Sequence, residues 1–153
     1  MTMNTRDALR QSVAVELGNV LADTAILYLK THNFHWNVTG LHFSSLHTLF
    51  EQQYQAMWLA LDEIAERIRA LGFPAPGTYS AFHRLSVITE SEALPAPLSM
   101  VETLLKDHER VIERLQNAYA LTESAADQPT LDLLVRRTEA HQKDAWMLRS
   151  TLA

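Results

Sequence analysis

Residues 43–71, FSSLHTLFEQQYQAMWLALDEIAERIRAL, carry the pattern that decides the fold. Apolar side chains recur there every three or four residues, which is the spacing of one face of an α-helix. On an ideal helix they form one broad stripe that we expect to face the core: Leu49, Phe50, Tyr54, Met57, Leu61, Ile64, Ile68 and Leu71. The stretch therefore predicts a long amphipathic helix that stops at Gly72.

Helical spacing continues through most of the chain, and no segment alternates as a strand would. Three further long helices are expected, with the approximate bounds 5–36, 99–121 and 127 to near the chain end. Asn4 or Thr5 is the expected cap of the first helix. Ser99 and Glu102 predict a capping box at the start of the third, and Pro129 suits the first turn of the fourth.

The link between the second and third helices is long, at roughly 25 residues, and exceeds ordinary loop lengths. It contains four of the five prolines, and SAFHRLSV within it is expected to form a short helix. A link of this length suits a crossover that returns along the whole bundle. The predicted fold is therefore all-α, a single domain over residues 1–153 with the topology of a ferritin-like four-helix bundle.

Composition limits the function classes. The net charge of −5 gives no reason to expect nucleic acid or an anionic membrane as a partner. The chain has no cysteine, which excludes disulfides and thiolate metal sites. The first residues lack the apolar segment of a secretory signal, and no apolar run is seen to approach the ~20 residues of a membrane span. We expect a cytoplasmic protein.

The helix over residues 43–71 also has a polar face. With His47 set at zero on a helical wheel, Glu51, Asp62 and Glu66 fall at about +40°, +60° and +100°. Glu51 and Asp62 lie roughly 16 Å apart along the axis. Bonds to first-row metals are only about 2.0–2.3 Å long, so one metal cannot use all four side chains of a single chain.

Two-fold symmetry removes this difficulty. The midpoint between Glu51 and Asp62 lies beside Met57, and the midpoint between His47 and Glu66 is the same. Two copies of the helix, packed antiparallel about an axis at that point, would bring the histidine end of one copy to the carboxylate end of the other. The spacing therefore predicts two identical metal sites between subunits.

The expected ligands are imidazole and carboxylate groups, which suit divalent metals such as Fe(II) and Zn(II). His35 is a further candidate because the first helix ends close to the start of the second. The chain lacks the Glu-x-x-His motif of intrachain di-iron bundles, which favours the intersubunit site. The alternative is an ordinary solvated helix face, since polar pairs at this spacing are common.

Three segments resemble the Dps family, the DNA-binding proteins from starved cells or mini-ferritins: HNFHWNVTG, FSSLHTLFEQQY and LDEIAERIRALG. The resemblance implies a bacterial, dodecameric shell of four-helix subunits. Such a shell oxidises Fe(II), with hydrogen peroxide as the preferred oxidant, and stores Fe(III) mineral inside. The resemblance also implies a ferroxidase site with two irons between two-fold-related subunits.

The resemblance assigns five metal ligands: His35, His47, Glu51, Asp62 and Glu66. The family often has aspartate at the position of Glu51, so direct or water-mediated ligation by Glu51 is left open. Trp36 corresponds to the tryptophan beside the iron, which implies a redox role in addition to its expected packing in the core. Asp127 and Asp132 are candidates for a carboxylate-lined iron pore on the three-fold axes.

DNA compaction in this family is often associated with basic tails. Here the two ends of the chain carry only Arg6, Arg10 and Arg149, so we predict little or no DNA binding through the termini. Three functions are weighed: a ferroxidase and iron store, which is favoured; a DNA-compacting nucleoid protein with incidental metal binding; and a bundle with structural zinc between subunits.

The remaining tryptophans and histidines are expected to be structural. Trp58 is assigned to the two-fold interface and Trp146 to the core. His32 is expected to pack or to support the site. The expected surface or hydrogen-bonded histidines are His83, His108 and His141.

Overall fold

The computed structural model describes residues 4–153, and these residues form helices and no strand. The helices are α1 (Thr5–Asn37), α2 (Phe43–Ala70), α3 (Tyr79–Leu85), α4 (Pro97–Ser124) and α5 (Gln128–Leu152). α1 packs against α2 and α4, and α4 packs against α5. The short helix α3 lies in the long crossover and contacts α1. The predicted all-α, ferritin-like bundle is confirmed, including its short crossover helix.

Most helix ends follow the expected signals. Asn4 caps α1 by accepting a hydrogen bond from the backbone N–H of Asp7 at 2.8 Å. Gly72 follows α2 with φ of 96°, a left-handed conformation that glycine adopts without strain. At α5, the side chain of Asp127 accepts from the backbone N–H of Thr130, and a proline lies in the first turn.

The capping box predicted at Ser99 and Glu102 is wrong. α4 begins at Pro97, after Ala96, and no side chain caps it. Proline starts a helix well because its fixed φ suits the first position and it has no N–H to satisfy. Ser99 and Glu102 therefore lie within the first turns of α4, where both are exposed.

The predicted stripe on α2 does face the core. Phe50, Met57, Ile64 and Ile68 are almost completely buried. Leu49, Tyr54 and Leu61 lie at the edge of the stripe and are half-buried. The core continues into the other long helices through buried apolar residues, among them Leu17, Leu27, Leu104, Leu115, Leu134 and Leu148.

Two tryptophans expected in the core are exposed instead. Trp146 is 60% exposed and Trp36 is 58% exposed. On α5 the buried face is carried by Ala145 and Leu148, and Trp146 is turned about 100° from Ala145. Trp36 points outward beside His35, which is buried.

The expectation that no apolar run approaches the length of a membrane span is wrong for α1. By length and composition α1 could span a membrane, with a mean hydropathy of 1.3 over its most apolar part. In the described fold 61% of that part is buried, as in the core helix of a bundle. The polar Asp23 and Thr24 interrupt the stretch, and both are buried within the protein.

Asp23 anchors the crossover to the bundle. One carboxylate oxygen accepts from the Ser86 hydroxyl at 2.9 Å and the Val87 N–H at 2.8 Å. The other accepts from Arg114 Nε at 3.0 Å. Arg114 also donates to the Leu85 carbonyl at 3.1 Å, so one buried ion pair ties α1, α4 and the end of α3 together. No local sequence pattern predicts this long-range contact.

Candidate metal centre

His35 and His47 are brought together by the short turn between α1 and α2. Their rings stack with centroids 3.7 Å apart and an interplanar angle of 15°. Nδ1 of His35 lies 2.7 Å from the His47 carbonyl, and Nδ1 of His47 lies 2.7 Å from the His35 carbonyl. A side chain on each helix therefore bonds to the backbone of the other helix.

These two hydrogen bonds define the tautomers. A carbonyl oxygen only accepts, so Nδ1 of both His35 and His47 must carry a proton and donate it. In the neutral imidazole the lone pair is then on Nε2, which is a nitrogen able to bind a metal. A carbonyl bonded to the opposite ring nitrogen is also the usual support of metal-binding histidines. The pair is therefore arranged as ligands require.

The predicted carboxylates are divided between the two ends of α2. Glu51 follows His47 by one turn and is half-buried, and Gln55 Nε2 lies 3.5 Å from its Oε1. Asp62 and Glu66 lie toward the other end of α2 and are exposed. Within residues 4–153 no three His, Asp or Glu side chains converge to hold a metal. One chain thus brings the histidines together but leaves Asp62 and Glu66 apart.

An aromatic stack, formed by Trp36, His32 and Tyr54, lies beside the histidine pair. The His32 ring stacks on Tyr54 with centroids 3.8 Å apart, and it packs at a tilt of 33° against Trp36 with centroids 3.9 Å apart. Tyr54 in turn meets His35 edge-on, with centroids 5.1 Å apart. The stack therefore connects His35 to a tryptophan on the protein surface. Tyr54 was read from the sequence only as a core residue.

The stack is supported by Tyr28, whose hydroxyl lies 3.1 Å from His32 Nδ1. Burial, and then the neighbouring His35, lower the pKa of His32. Burial, and then Tyr54, raise the pKa of Tyr28. Both groups are consequently neutral near neutral pH, which is consistent with the supporting role expected for His32.

The centre of α2 presents apolar side chains to solvent. Trp58 and Leu59 are 60% and 72% exposed, and both lie within about one turn of the midpoint near Met57. Trp58 also contacts Tyr28, with ring centroids 5.4 Å apart. Large apolar side chains exposed together are typical of a surface that packs against another protein.

The two predicted pore residues have other partners in the single chain. Asp127 is half-buried, caps α5 and accepts from Arg67 Nη2 at 3.0 Å. Asp132 is exposed and accepts from Arg136 Nε at 3.1 Å. Each carboxylate is therefore paired with a guanidinium, and a pore role stays a prediction.

The remaining histidines divide into surface and interior positions. His83 is exposed, with Nδ1 3.8 Å from Glu90. His108 and His141 are buried, and their Nδ1 atoms lie 2.9 Å apart. Neither is a surface residue. His141 is hydrogen-bonded as expected, because its Nε2 also lies 3.5 Å from Arg137 Nη2. The expectation fails for His108, whose Nε2 is buried without a hydrogen-bond partner in the described part of the chain.

Comparison with known proteins agrees with this architecture. A family model described as a ferritin-like domain matches residues 15–153. A low temperature-induced protein of Nostoc sp. is 38% identical over 94% of this chain and 82% of its own length. DNA protection during starvation protein 2 of Bacillus anthracis is 35% identical over 94% of this chain and 99% of its own.

Solved structures give the same result. Dps from Thermosynechococcus elongatus superposes with a TM-score of 0.94 and 28% identity, covering 98% of this chain and 96% of that one. The Vibrio cholerae Dps protein, described as a member of a broad superfamily of ferritin-like diiron-carboxylate proteins, has a TM-score of 0.93 and 27% identity, covering 100% and 98%. The chain belongs to the Dps family of ferritin-like proteins.

Proposed function

We propose that this protein is a mini-ferritin that oxidises Fe(II) with hydrogen peroxide at a site between two subunits and stores the Fe(III) inside a dodecameric shell. The observation that carries the proposal is the reciprocal hydrogen bonding of His35 and His47, which leaves an unprotonated Nε2 on each ring. Two supported imidazoles beside a carboxylate are half of a metal site, and the other half must come from elsewhere.

The missing ligands are Asp62 and Glu66 of the partner subunit. Both are exposed on α2, on the same side as His47, and so are available to a second chain. Antiparallel packing of two α2 helices would also bury Trp58 and Leu59, the exposed apolar residues at the helix centre. Burial of these side chains supplies a driving force for the dimer, at about 25 cal/mol per Å² of apolar surface.

The proposed reaction consumes two Fe(II) ions, one hydrogen peroxide and two protons, and yields two Fe(III) ions and two water molecules. Two electrons reach peroxide together, so its O–O bond breaks without release of a hydroxyl radical. The carboxylates of Glu51, Asp62 and Glu66 contribute negative charge, which favours Fe(III) over Fe(II). When only one Fe(II) is available, Trp36, which packs against His32, would supply the second electron and become a radical cation.

In this proposal the protein protects against oxidative stress through iron oxidation and does not need to bind DNA through its termini. Arg10 is paired with Asp7 at 2.9 Å, and Arg149 is paired with Glu109 at 3.2 Å. The cations near the two ends are thus partly neutralised by carboxylates, whereas phosphate binding needs several free cations. A gel-shift assay at low salt should show little retention of DNA. A cytoplasmic location in bacteria follows from the same role.

The test is anaerobic loading with Fe(II), followed by half an equivalent of hydrogen peroxide and gel filtration. Rapid ferric absorbance that elutes with a shell of about a dozen subunits supports the proposal. Glu66→Gln should slow oxidation strongly. Glu63→Gln is the matched control, because it removes a neighbouring carboxylate whose exposed ion pair with Arg136 contributes little. Equal rates of Fe(II) oxidation in the two variants would count against the proposal. So would bound zinc that blocks oxidation and does not exchange for iron.

A further inference from the structure

A layer of polar side chains crosses the interior of the bundle. Within this layer each long helix contributes one polar residue that is at most 1% exposed: Thr31, Gln53, His108 and His141. Thr31 is satisfied, because its hydroxyl donates to the Leu27 carbonyl at 2.8 Å. The other three are larger groups with several hydrogen-bonding atoms each.

Contacts between α1 and α2 define the position of Gln53 along the axis of the bundle. Tyr28 packs edge-on against Tyr54, with ring centroids 6.1 Å apart. Because α1 and α2 run antiparallel, Gln53 then lies opposite residues 29–31 of α1. Thr31 and Gln53 are therefore at nearly the same level of the bundle.

Contacts of α4 define the positions of His108 and His141 along the axis of the bundle. Lys30 Nζ lies 2.6 Å from Asp107 Oδ2, which puts His108 beside the same segment of α1. His108 Nδ1 lies 2.9 Å from His141 Nδ1, which extends the layer to α5. Gln53, His108 and His141 thus occupy one level, within about a turn of helix.

The partners of the histidines define where their protons are. Arg137 Nη2 lies 3.5 Å from His141 Nε2, a long contact in which the guanidinium can only donate. The proton of His141 is consequently on Nδ1, from which it is donated to His108 Nδ1. His108 then carries its own proton on Nε2. Burial, and then Arg137, lower the pKa of His108 to about 3, and burial, then His108, then Arg137 lower the pKa of His141, so both rings are neutral at neutral pH.

Several atoms of this layer have no partner in the described part of the chain. They are His108 Nε2, both amide atoms of Gln53, and Arg137 Nε. A buried donor or acceptor without a partner destabilises the folded state, so such atoms in folded proteins are usually satisfied by ordered water. Here they come from α2, α4 and α5 at one level, which points to a common ligand.

We propose that the interior of the bundle holds a hydrated site, in which ordered water molecules accept from His108 Nε2 and complete the hydrogen bonds of Gln53. Water is the appropriate ligand because it both donates and accepts, and the two groups together need both functions. This inference is independent of the proposed ferroxidase function.

The same layer is unsuited to a metal cation. Its side chains are neutral imidazoles, an amide and a hydroxyl, and Arg137 adds a positive charge. Asp144, one turn beyond His141, has a pKa raised to about 6 by burial, while Asp107 is paired with Lys30. The core of a four-helix bundle is a common location for metals. In this protein the polar layer of the core would bind water, and metal ions would bind at the surface of α2.

The test is a crystal structure of the intact protein at better than about 1.2 Å resolution, with and without a Co(II) soak. Water density is expected at about 2.7–3.2 Å from His108 Nε2, with no anomalous peak in the layer. His108→Leu should lose this water. Thr122→Val is the control, because the buried Thr122 hydroxyl already donates to the Ala118 carbonyl at 2.7 Å.

Two results would overturn the inference. One is a wild-type layer without water, in which His108 Nε2 is bonded to a protein atom. The other is cobalt bound between His108 and His141. If His108→Leu does not fold, Gln53→Leu replaces it, and loss of the water that contacts the Gln53 amide is the expected result. Retention of all water in Gln53→Leu would exclude its part in the site.

Discussion

His35 and His47 orient each other through the backbone, since each Nδ1 donates to the carbonyl of the other residue at 2.7 Å. The junction of α1 and α2 and the orientation of the two imidazoles are therefore one structural feature. Each ring is fixed by a main-chain atom, which remains in place when the opposite side chain is replaced. This arrangement allows ligation and packing to be separated by mutation.

His35→Phe should retain the fold and weaken metal binding. Phenylalanine keeps a ring stacked on His47 but has no Nε2 lone pair. We expect Tm to fall by only a few degrees, since about 1 kcal/mol shifts a domain of this size by ~2–4 °C. Fe(II) oxidation and Co(II) affinity should fall by at least the ~10–100-fold that loss of a supporting residue costs at metal sites.

His42→Phe is the control for this variant, because His42 is exposed and its side chain makes no cap for α2. It should bind Co(II) as the wild type does. If His35→Phe also binds Co(II) normally, His35 is a packing residue and not a ligand.

The sequence predicted the bundle because its signal is repeated in every long helix. The stripe containing Phe50, Met57 and Ile64 is sufficient to define α2. The start of α4 was harder to predict, because Pro97 and Ser99 are both good helix-start signals and only the fold decides between them. Trp146 was misplaced because a large apolar residue near a helix edge can face either the core or solvent.

Only part of the candidate site could be predicted from the sequence. The spacing of His47, Glu51 and Glu66 is visible along one helix. The reciprocal bonding of His35 and His47 is not, because it depends on the turn that joins α1 and α2. The roles of Tyr54 and Asp23 were hidden for the same reason, since their partners are distant in the chain.

Subunit mixing should test whether the site is shared. His47→Ala and Glu66→Ala subunits are each expected to be inactive alone. In a mixed dimer both substitutions fall in one site, and the second site has His47 from one subunit and Glu66 from the other. Random reassembly should therefore restore about a quarter of the wild-type sites, because half of the dimers are mixed and each has one intact site.

The measurement is the initial rate of Fe(II) oxidation after the two variants are unfolded and refolded together. Separately refolded variants, combined only before the assay, are the control and should stay inactive. No recovery in a mixture shown to contain mixed oligomers would mean that each site lies within one chain.

Trp58→Glu should disrupt the two-fold dimer. The indole is 60% exposed at the centre of α2, where it is proposed to be buried by the second copy. A carboxylate there would be buried without a partner, at a cost of several kcal/mol. We expect smaller oligomers in analytical ultracentrifugation, and loss of oxidation with them. Gln52→Glu adds the same charge at an exposed position of α2 and should assemble normally.

Asp23→Ala should loosen the crossover. It removes the partner of Arg114, whose side chain is only 18% exposed, and leaves a largely buried charge unpaired. Breaking such a pair costs about 3–5 kcal/mol. We expect a lower Tm and faster proteolysis within residues 86–96. Asp7→Ala breaks an exposed pair with Arg10 and should cost less than about 1 kcal/mol. Equal stability of the two variants would show that Asp23 is not an anchor.

Acid should destabilise the wild type more than His108→Leu. The pKa of His108 is lowered from 6.5 to about 3 by burial and by Arg137, so between these values the unfolded chain binds more protons than the folded one. Stability from this group is complete above 6.5 and decreases as pH falls toward 3. His141 contributes in the same direction in both proteins, because burial is the largest cause that lowers its pKa and His108 is a smaller one.

Asp144 acts in the opposite direction, since its pKa is raised to about 6 and the folded state holds its proton longer. It is also common to both proteins, and so it cancels in the comparison. Between pH 6.5 and 4.5 the wild type should lose on the order of 2 kcal/mol more than His108→Leu. Thermal unfolding at a series of pH values measures this difference. His83→Leu, at an exposed histidine, is the control and should show the same dependence of stability on pH as the wild type. If stability instead depends on pH equally in the wild type and in His108→Leu, His108 protonates freely in the folded state.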